Sequence, residues 1–66
     1  MADVLLWREP DGIFLVYAKG NGRPLGTFYA EPDGWWVVNL ANGRTFQTWG
    51  PNADPDEITR RLVRKR

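Results

Sequence analysis

The sequence contains no cysteine and no histidine. Without thiols there are no disulfides to staple a small domain and no thiolate nucleophile, and without either residue type the usual zinc ligand sets are excluded as well. Neither a histidine base nor a nucleophile–base pair is available, and the acidic residues fall mainly in turn sequences, where water solvates them. A non-enzymatic protein with no metal and no cofactor is expected. Long apolar runs are also missing: nothing approaches the length of about 20 residues that crosses a bilayer. No basic segment followed by an apolar one opens the chain, so a soluble, cytoplasmic protein without membrane contact is expected.

What remains is 66 residues, enough for one domain that buries about 60% of the surface its unfolded chain exposes. Packing must supply the stability, and the material for it is aromatic: four tryptophans, two tyrosines and three phenylalanines, a heavy load for so short a chain. The formal net charge of +1 conceals an asymmetry. Residues 60–66 hold Arg60, Arg61, Arg64, Lys65 and Arg66 with no acid, whereas residues 1–59 hold four bases against eight acids.

An internal repeat organises the chain. Trp7-Arg8-Glu9-Pro10-Asp11-Gly12-Ile13-Phe14-Leu15-Val16 recurs as Tyr29-Ala30-Glu31-Pro32-Asp33-Gly34-Trp35-Trp36-Val37-Val38, and Gly22-Arg23-Pro24-Leu25-Gly26-Thr27-Phe28 recurs as Gly43-Arg44-Thr45-Phe46-Gln47-Thr48-Trp49. In Glu-Pro-Asp-Gly, proline suits the first central position of a type I turn, aspartate the next, and glycine the left-handed residue that follows. Both copies read as hairpins. Residues 19–23 read as a third turn, and Ala41-Asn42-Gly43-Arg44 as a two-residue Asn-Gly turn of the primed type.

Four turns separate five strands, near residues 4–9, 13–19, 23–31, 35–41 and 44–49. After a linker, Asp54-Pro55-Asp56-Glu57 is a helix start, with aspartate as cap, proline at the first position and acids in the first turn. Ile58, Leu62 and Val63 supply the apolar stripe of a helix over residues 54–65. The expected fold is α+β, mainly β: one domain over residues 1–66, a five-stranded antiparallel meander of two tandem hairpin repeats over 1–49, packed by one C-terminal helix. The alternative is a sheet curled into a small SH3-like barrel.

Turn geometry also assigns faces. Pairing Glu9 with Ile13, Glu31 with Trp35 and Ala41 with Arg44 puts Phe14, Val16, Ala18, Gly26, Phe28, Ala30, Trp36, Val38, Leu40 and Trp49 on one side. The small residues Ala18, Gly26 and Ala30 leave room there for the helix. The other side carries Leu5, Trp7, Ile13, Leu15, Tyr17, Leu25, Thr27, Tyr29, Trp35, Val37, Asn39, Phe46 and Thr48, too apolar for an ordinary wet face. Three explanations stay open: closure into a barrel, a homodimer through the aromatic face, or a ligand platform with Tyr17, Tyr29, Trp35 and Trp7 as stacking groups.

Charges sort along the strands. Alternate turns of a meander lie at opposite ends, so Glu9, Asp11, Glu31 and Asp33 share one end while Lys19, Arg23 and Arg44 share the other. A helix antiparallel to the last strand brings Arg60, Arg61, Arg64, Lys65 and Arg66 to that basic end. A basic pole beside an aromatic face is the pairing expected of a DNA- or RNA-binding domain. The plain reading is that arginines in a last helical turn complement the helix dipole.

From Asp33-Gly34-Trp35-Trp36-Val37-Val38 through Asn42-Gly43-Arg44-Thr45-Phe46 to the C-terminal helix, residues 25–65 resemble the AP2-like, arm-type DNA-binding domains of phage and transposon integrases. Those domains lay a three-stranded sheet, backed by a helix, in the major groove. The resemblance implies that Arg44, Trp35 and Asn39 sit at the sheet–DNA contact, with Lys19, Arg23 and the helix C-terminus on phosphates. The chain adds an N-terminal hairpin to that pattern and carries few basic residues on its middle strands. The competing function is a protein-interaction module of phage or mobile-element type, an inhibitor or adaptor that offers the aromatic face to a protein partner.

Overall fold

A computed structural model of the chain describes residues 4–65. Five strands, β1 (Val4–Arg8), β2 (Phe14–Ala18), β3 (Pro24–Ala30), β4 (Trp35–Leu40) and β5 (Thr45–Trp49), precede one helix, α1 (Pro55–Lys65). The strands form a single antiparallel sheet in the order β1-β2-β3-β4-β5, so each pairs with its neighbour in sequence. β1 and β5 are free edges and the sheet is open, which overturns the barrel alternative.

One local device closes all four turns. Each turn holds a short polar residue, Asp11, Asn21, Asp33 or Asn42, whose side-chain oxygen accepts the backbone N–H two residues on, of Ile13, Arg23, Trp35 and Arg44 respectively, at 3.0 to 3.3 Å. A glycine of positive φ stands between the two. These short polar side chains satisfy their own turns, which is why they mark turns.

The Asn-Gly turn differs from expectation by one residue. Leu40 N–H donates to Arg44 O (2.7 Å) and Gly43 N–H to Leu40 O (3.0 Å), so Ala41-Asn42-Gly43 is a three-residue loop of the same kind as Pro10-Asp11-Gly12. A two-residue primed turn requires positive φ at both central residues, and no non-glycine residue here has one; Gly43, at φ +91°, takes the whole reversal. The extra residue turns β5 over, since side chains alternate with period two. Phe46 therefore lies opposite Val38 on the helix side and Thr48 opposite Trp36, while Trp49 lies opposite Trp35 on the far side. A second correction concerns Leu25. A register shift, with Val16 facing Gly26 but Tyr17 facing Pro24, brings it against the core cluster instead of the open side.

The core is one layer between sheet and helix: Val16, Phe28, Trp36, Val38, Leu40, Ile58 and Leu62 are buried, with Val4, Leu6, Phe14, Phe46, Ala53 and Val63 packed around them. Phe14 stacks on Phe28 at 5.0 Å between ring centroids, and Phe28 meets Trp36 edge-on at 5.8 Å, the arrangements that ring quadrupoles favour. The buried Trp36 indole N–H donates to Gly50 O (2.8 Å), tying the sheet to the linker that precedes α1.

The helix begins as its sequence dictates: Asp54 Oδ1 accepts the Glu57 N–H at 2.9 Å, and Pro55 occupies the first helical position. It lies over β3 and β4, where Gly26 makes room. A Cβ at Gly26 would stand 2.5 Å from Asn39 O and 3.1 Å from Leu62 Cδ1. Gly26→Ala is therefore expected to lower stability by about 1–3 kcal/mol through overpacking. Gly20→Ala, whose Cβ would meet nothing within 4 Å, leaves the urea midpoint nearly unchanged. Equal effects of the two substitutions would show that the helix does not depend on this seat.

Candidate functional site

The covered and uncovered sides of the sheet differ in kind. α1 lies over β3 and β4 on one side, and among the described residues no element covers the opposite side. Strand positions of that open side hold Leu5, Trp7, Leu15, Tyr17, Thr27, Tyr29, Trp35, Val37, Asn39, Thr45, Gln47 and Trp49. Trp7 is 62% exposed, Trp49 52% and Leu5 51%. With Tyr29 and Trp35 also exposed, this side presents an unusual number of large apolar side chains to solvent.

Two patches make up the surface. On β1 and β2, Leu5, Trp7, Leu15 and Tyr17 line a shallow cleft that also takes in Glu9. On β3 to β5, Trp35 and Trp49 meet edge to face, 5.2 Å between centroids and 66° between planes, one register step from Tyr29. Glu31 borders this second patch, its carboxylate accepting the Gln47 amide N–H at 3.4 Å. Thr27, Asn39 and Thr45 form a polar row across β3, β4 and β5 on the same side. Among the described residues, the strand positions of the open side hold no lysine or arginine; the charges beside the aromatics are the carboxylates of Glu9 and Glu31.

The cations gather elsewhere. Arg23 shares a rung with Ala18 and Arg44 shares one with Leu40, and both of those rungs fall on the helix side. Lys65 Nζ sits 5.8 Å from the Phe46 ring centroid on that side, so the helix C-terminus reaches the end of the sheet that carries Arg23 and Arg44. Lys19 belongs to the turn between β2 and β3 at that end, and Arg64 is exposed in the last helical turn. Arg66 lies outside the described residues.

Two of the basic residues are engaged within the fold. Arg60 and Arg61 both bond Glu57, at 2.8 and 3.2 Å. Arg61 Nη1 further donates to Thr48 Oγ1 and to Trp49 O, each at 2.8 Å, joining the helix to β5. Hydrogen bonds from Arg60 and then Arg61 hold the Glu57 carboxyl below its ordinary value. The basic residues and the stacking residues named from the sequence thus occupy two surfaces: Tyr17, Tyr29, Trp35 and Asn39 the open side, and Arg23, Arg44, Arg64 and Lys65 the end of the helix side.

Trp49 was placed by sequence on the covered side and joins the site because β5 is turned over. Glu9 and Glu31 were read as turn acids. Strand parity already set them in line with Trp7 and Tyr29, and that was the signal available. The chain matches no protein-family model, no curated protein and no solved structure.

Arg61→Ala is expected to lower stability by about 1–2 kcal/mol in urea unfolding, because charge-assisted bonds to Thr48, Trp49 and Glu57 go together; Arg64→Ala should change it by less than about 0.5 kcal/mol. The Glu57 contribution has a defined pH sense. A carboxyl with a lowered folded value stabilises above the ordinary carboxylate range and ceases to as pH falls through the lowered value. Glu57→Gln should therefore flatten the acid limb of a stability–pH profile while leaving its neutral-to-basic shape unchanged, and an unaltered acid limb would show that the pair contributes nothing.

Proposed function

We propose that this chain is a non-enzymatic protein-binding domain whose open sheet face receives an extended segment of a partner, apolar in part and carrying arginine or lysine. The observation that supports this most is the composition of that face: Trp7, Tyr29, Trp35 and Trp49 exposed beside Glu9 and Glu31, with no base on its strand positions. Aromatic residues at high density with few charges are what the centres of protein–protein interfaces contain. A cation laid over the Trp35 and Trp49 rings gains from their quadrupoles, and Glu31 stands beside them to pair with it. The same two carboxylates oppose a phosphate backbone on this face.

A second reading has its own observation. Lys19, Arg23, Arg44, Arg64 and Lys65 gather at one end of the molecule, and among the described residues the ion pairs engage only Arg60 and Arg61. A DNA or RNA strand contacting that end would be held through phosphates. The likeness of residues 25–65 to arm-type integrase domains supports the same reading.

One pair of titrations separates the two. Tryptophan fluorescence is followed against a proline-rich peptide carrying a single arginine, its glutamate counterpart, and short single- and double-stranded oligonucleotides, each at low and moderate salt. The protein reading expects the arginine peptide to bind better than the glutamate peptide. It also expects Trp35→Ala to weaken that binding by roughly tenfold or more, the loss typical of a buried ring at a binding hot spot. Oligonucleotide binding that weakens steeply with salt, falls with Arg23→Ala and Arg44→Ala and ignores Trp35→Ala would overturn it in favour of the second.

A further inference from the structure

The two free edges of the sheet are not equivalent. In antiparallel pairs, rungs alternate between those that exchange hydrogen bonds and those that do not. On the β1–β2 ladder, Glu9 N–H donates to Ile13 O at 2.8 Å, so Trp7/Leu15 and Leu5/Tyr17 are the other bonded rungs. The N–H and C=O groups of Val4, Leu6 and Arg8 therefore point outward from β1. On the β4–β5 ladder, Leu40 N–H donates to Arg44 O, which leaves Thr45, Gln47 and Trp49 facing outward from β5. There Arg61 already occupies Trp49 O at 2.8 Å. Among the described residues, no side chain bonds the outward groups of β1.

Isolated domains blunt a bare edge with proline, lysine, a bulge or an inward charge. β1 reads Val-Leu-Leu-Trp-Arg and is regular over its whole length against β2. Its two open-side residues, Leu5 and Trp7, are among the most exposed large apolar side chains of the protein. Its helix-side residues Val4 and Leu6 are only partly buried at the rim of the core.

We propose that β1 pairs with β1 of a second copy, antiparallel, about a two-fold axis through Leu6, making one continuous sheet across the dimer. Outward residues must face outward residues, and of the registers that allow this the one centred on Leu6 pairs all three of Val4, Leu6 and Arg8. With Leu6 on the axis, Leu6 exchanges both backbone bonds with its twin, and Val4 does so with Arg8 of the other copy. Leu5 then faces Trp7 of the other copy on a non-bonded rung, where side chains approach closest, and the reciprocal pair repeats it. Within Val4–Arg8 no like charges meet, because Arg8 lies opposite Val4. Val4 and Leu6 of the two copies carry the core layer across the axis on the helix side. The contact is isologous and closed, so it stops at two copies. It is independent of what the open face binds, and it would join two such faces edge to edge.

The absence of cysteine from the chain supplies a clean test. Full-length Leu5→Cys and Trp7→Cys proteins are mixed in equal amounts under mild oxidation. The proposed rung brings these positions to a Cα separation of about 4.5 Å, within disulfide range, whereas Leu5 to Leu5 and Trp7 to Trp7 lie diagonally across the axis, beyond about 7 Å. The mixed disulfide should form in excess of either homodisulfide. Sedimentation of the unmodified chain from micromolar to millimolar concentration should show monomer giving way to dimer. Leu6→Pro, which deletes an outward N–H and no ladder bond, should weaken that association by roughly tenfold or more. A chain monomeric at every concentration, or a dimer that forms homodisulfides as readily as the mixed one, overturns the proposal, the second result pointing to a shifted edge register or to face-to-face packing. If Leu6→Pro does not fold, the cysteine pair, whose native residues are exposed, decides alone.

Discussion

Everything about the placement of the helix follows from the contact of Leu62 with Gly26. The sheet can accept an 11-residue helix only where its own surface dips, and a strand glycine beneath a leucine is such a dip. With Leu62 seated 3.1 Å from where a Cβ would stand, Ile58 falls among the aromatic rings one turn earlier, and Arg61 faces β5, where it bonds Thr48 and Trp49. The direction of the helix is then determined, and with it the end of the molecule that receives Arg64 and Lys65.

The same seat explains what is left bare. A helix about 16 Å long laid over β3 and β4 does not shelter both flanks of a five-stranded sheet, and it shelters nothing on the opposite side. Trp7, Trp35 and Trp49 remain exposed because the described residues hold no second helix to lay over them. Retaining such rings at the surface carries a cost in solubility and in competing association. Their exposure is the feature on which the binding role proposed for the open side rests.

Much of this was legible in the residues. The repeat of Glu-Pro-Asp-Gly located two hairpins, and Asp54-Pro55 located the helix start, because both signals act through bonds between near neighbours. The face of β5 was not legible from Asn42-Gly43 alone, since that dipeptide serves both a two-residue primed turn and a three-residue loop ending in a left-handed glycine. The repeat did not contain the answer either: it sets Ala41-Asn42-Gly43-Arg44 against Gly20-Asn21-Gly22-Arg23, whose loop between Ala18 and Arg23 has four residues, not three. The division of the candidate site was also hidden. Sorting charges by end of the sheet says nothing of side, and side depends on the rung each arginine occupies, which the turns of residues 19–23 and 41–43 decide.

The self-contained turns also bear on how the chain reaches its fold. Every ladder joins strands adjacent in sequence, and each reversal is held by an Asp or Asn two residues from the amide it binds. Nothing in the sheet waits for a distant segment to arrive. Low contact order of this kind favours rapid folding, with any of the four reversals able to start the zipper. The return of Leu62 to Gly26 spans far more chain than any of the four reversals, so the long loop closure in this fold belongs to the helix and not to the sheet.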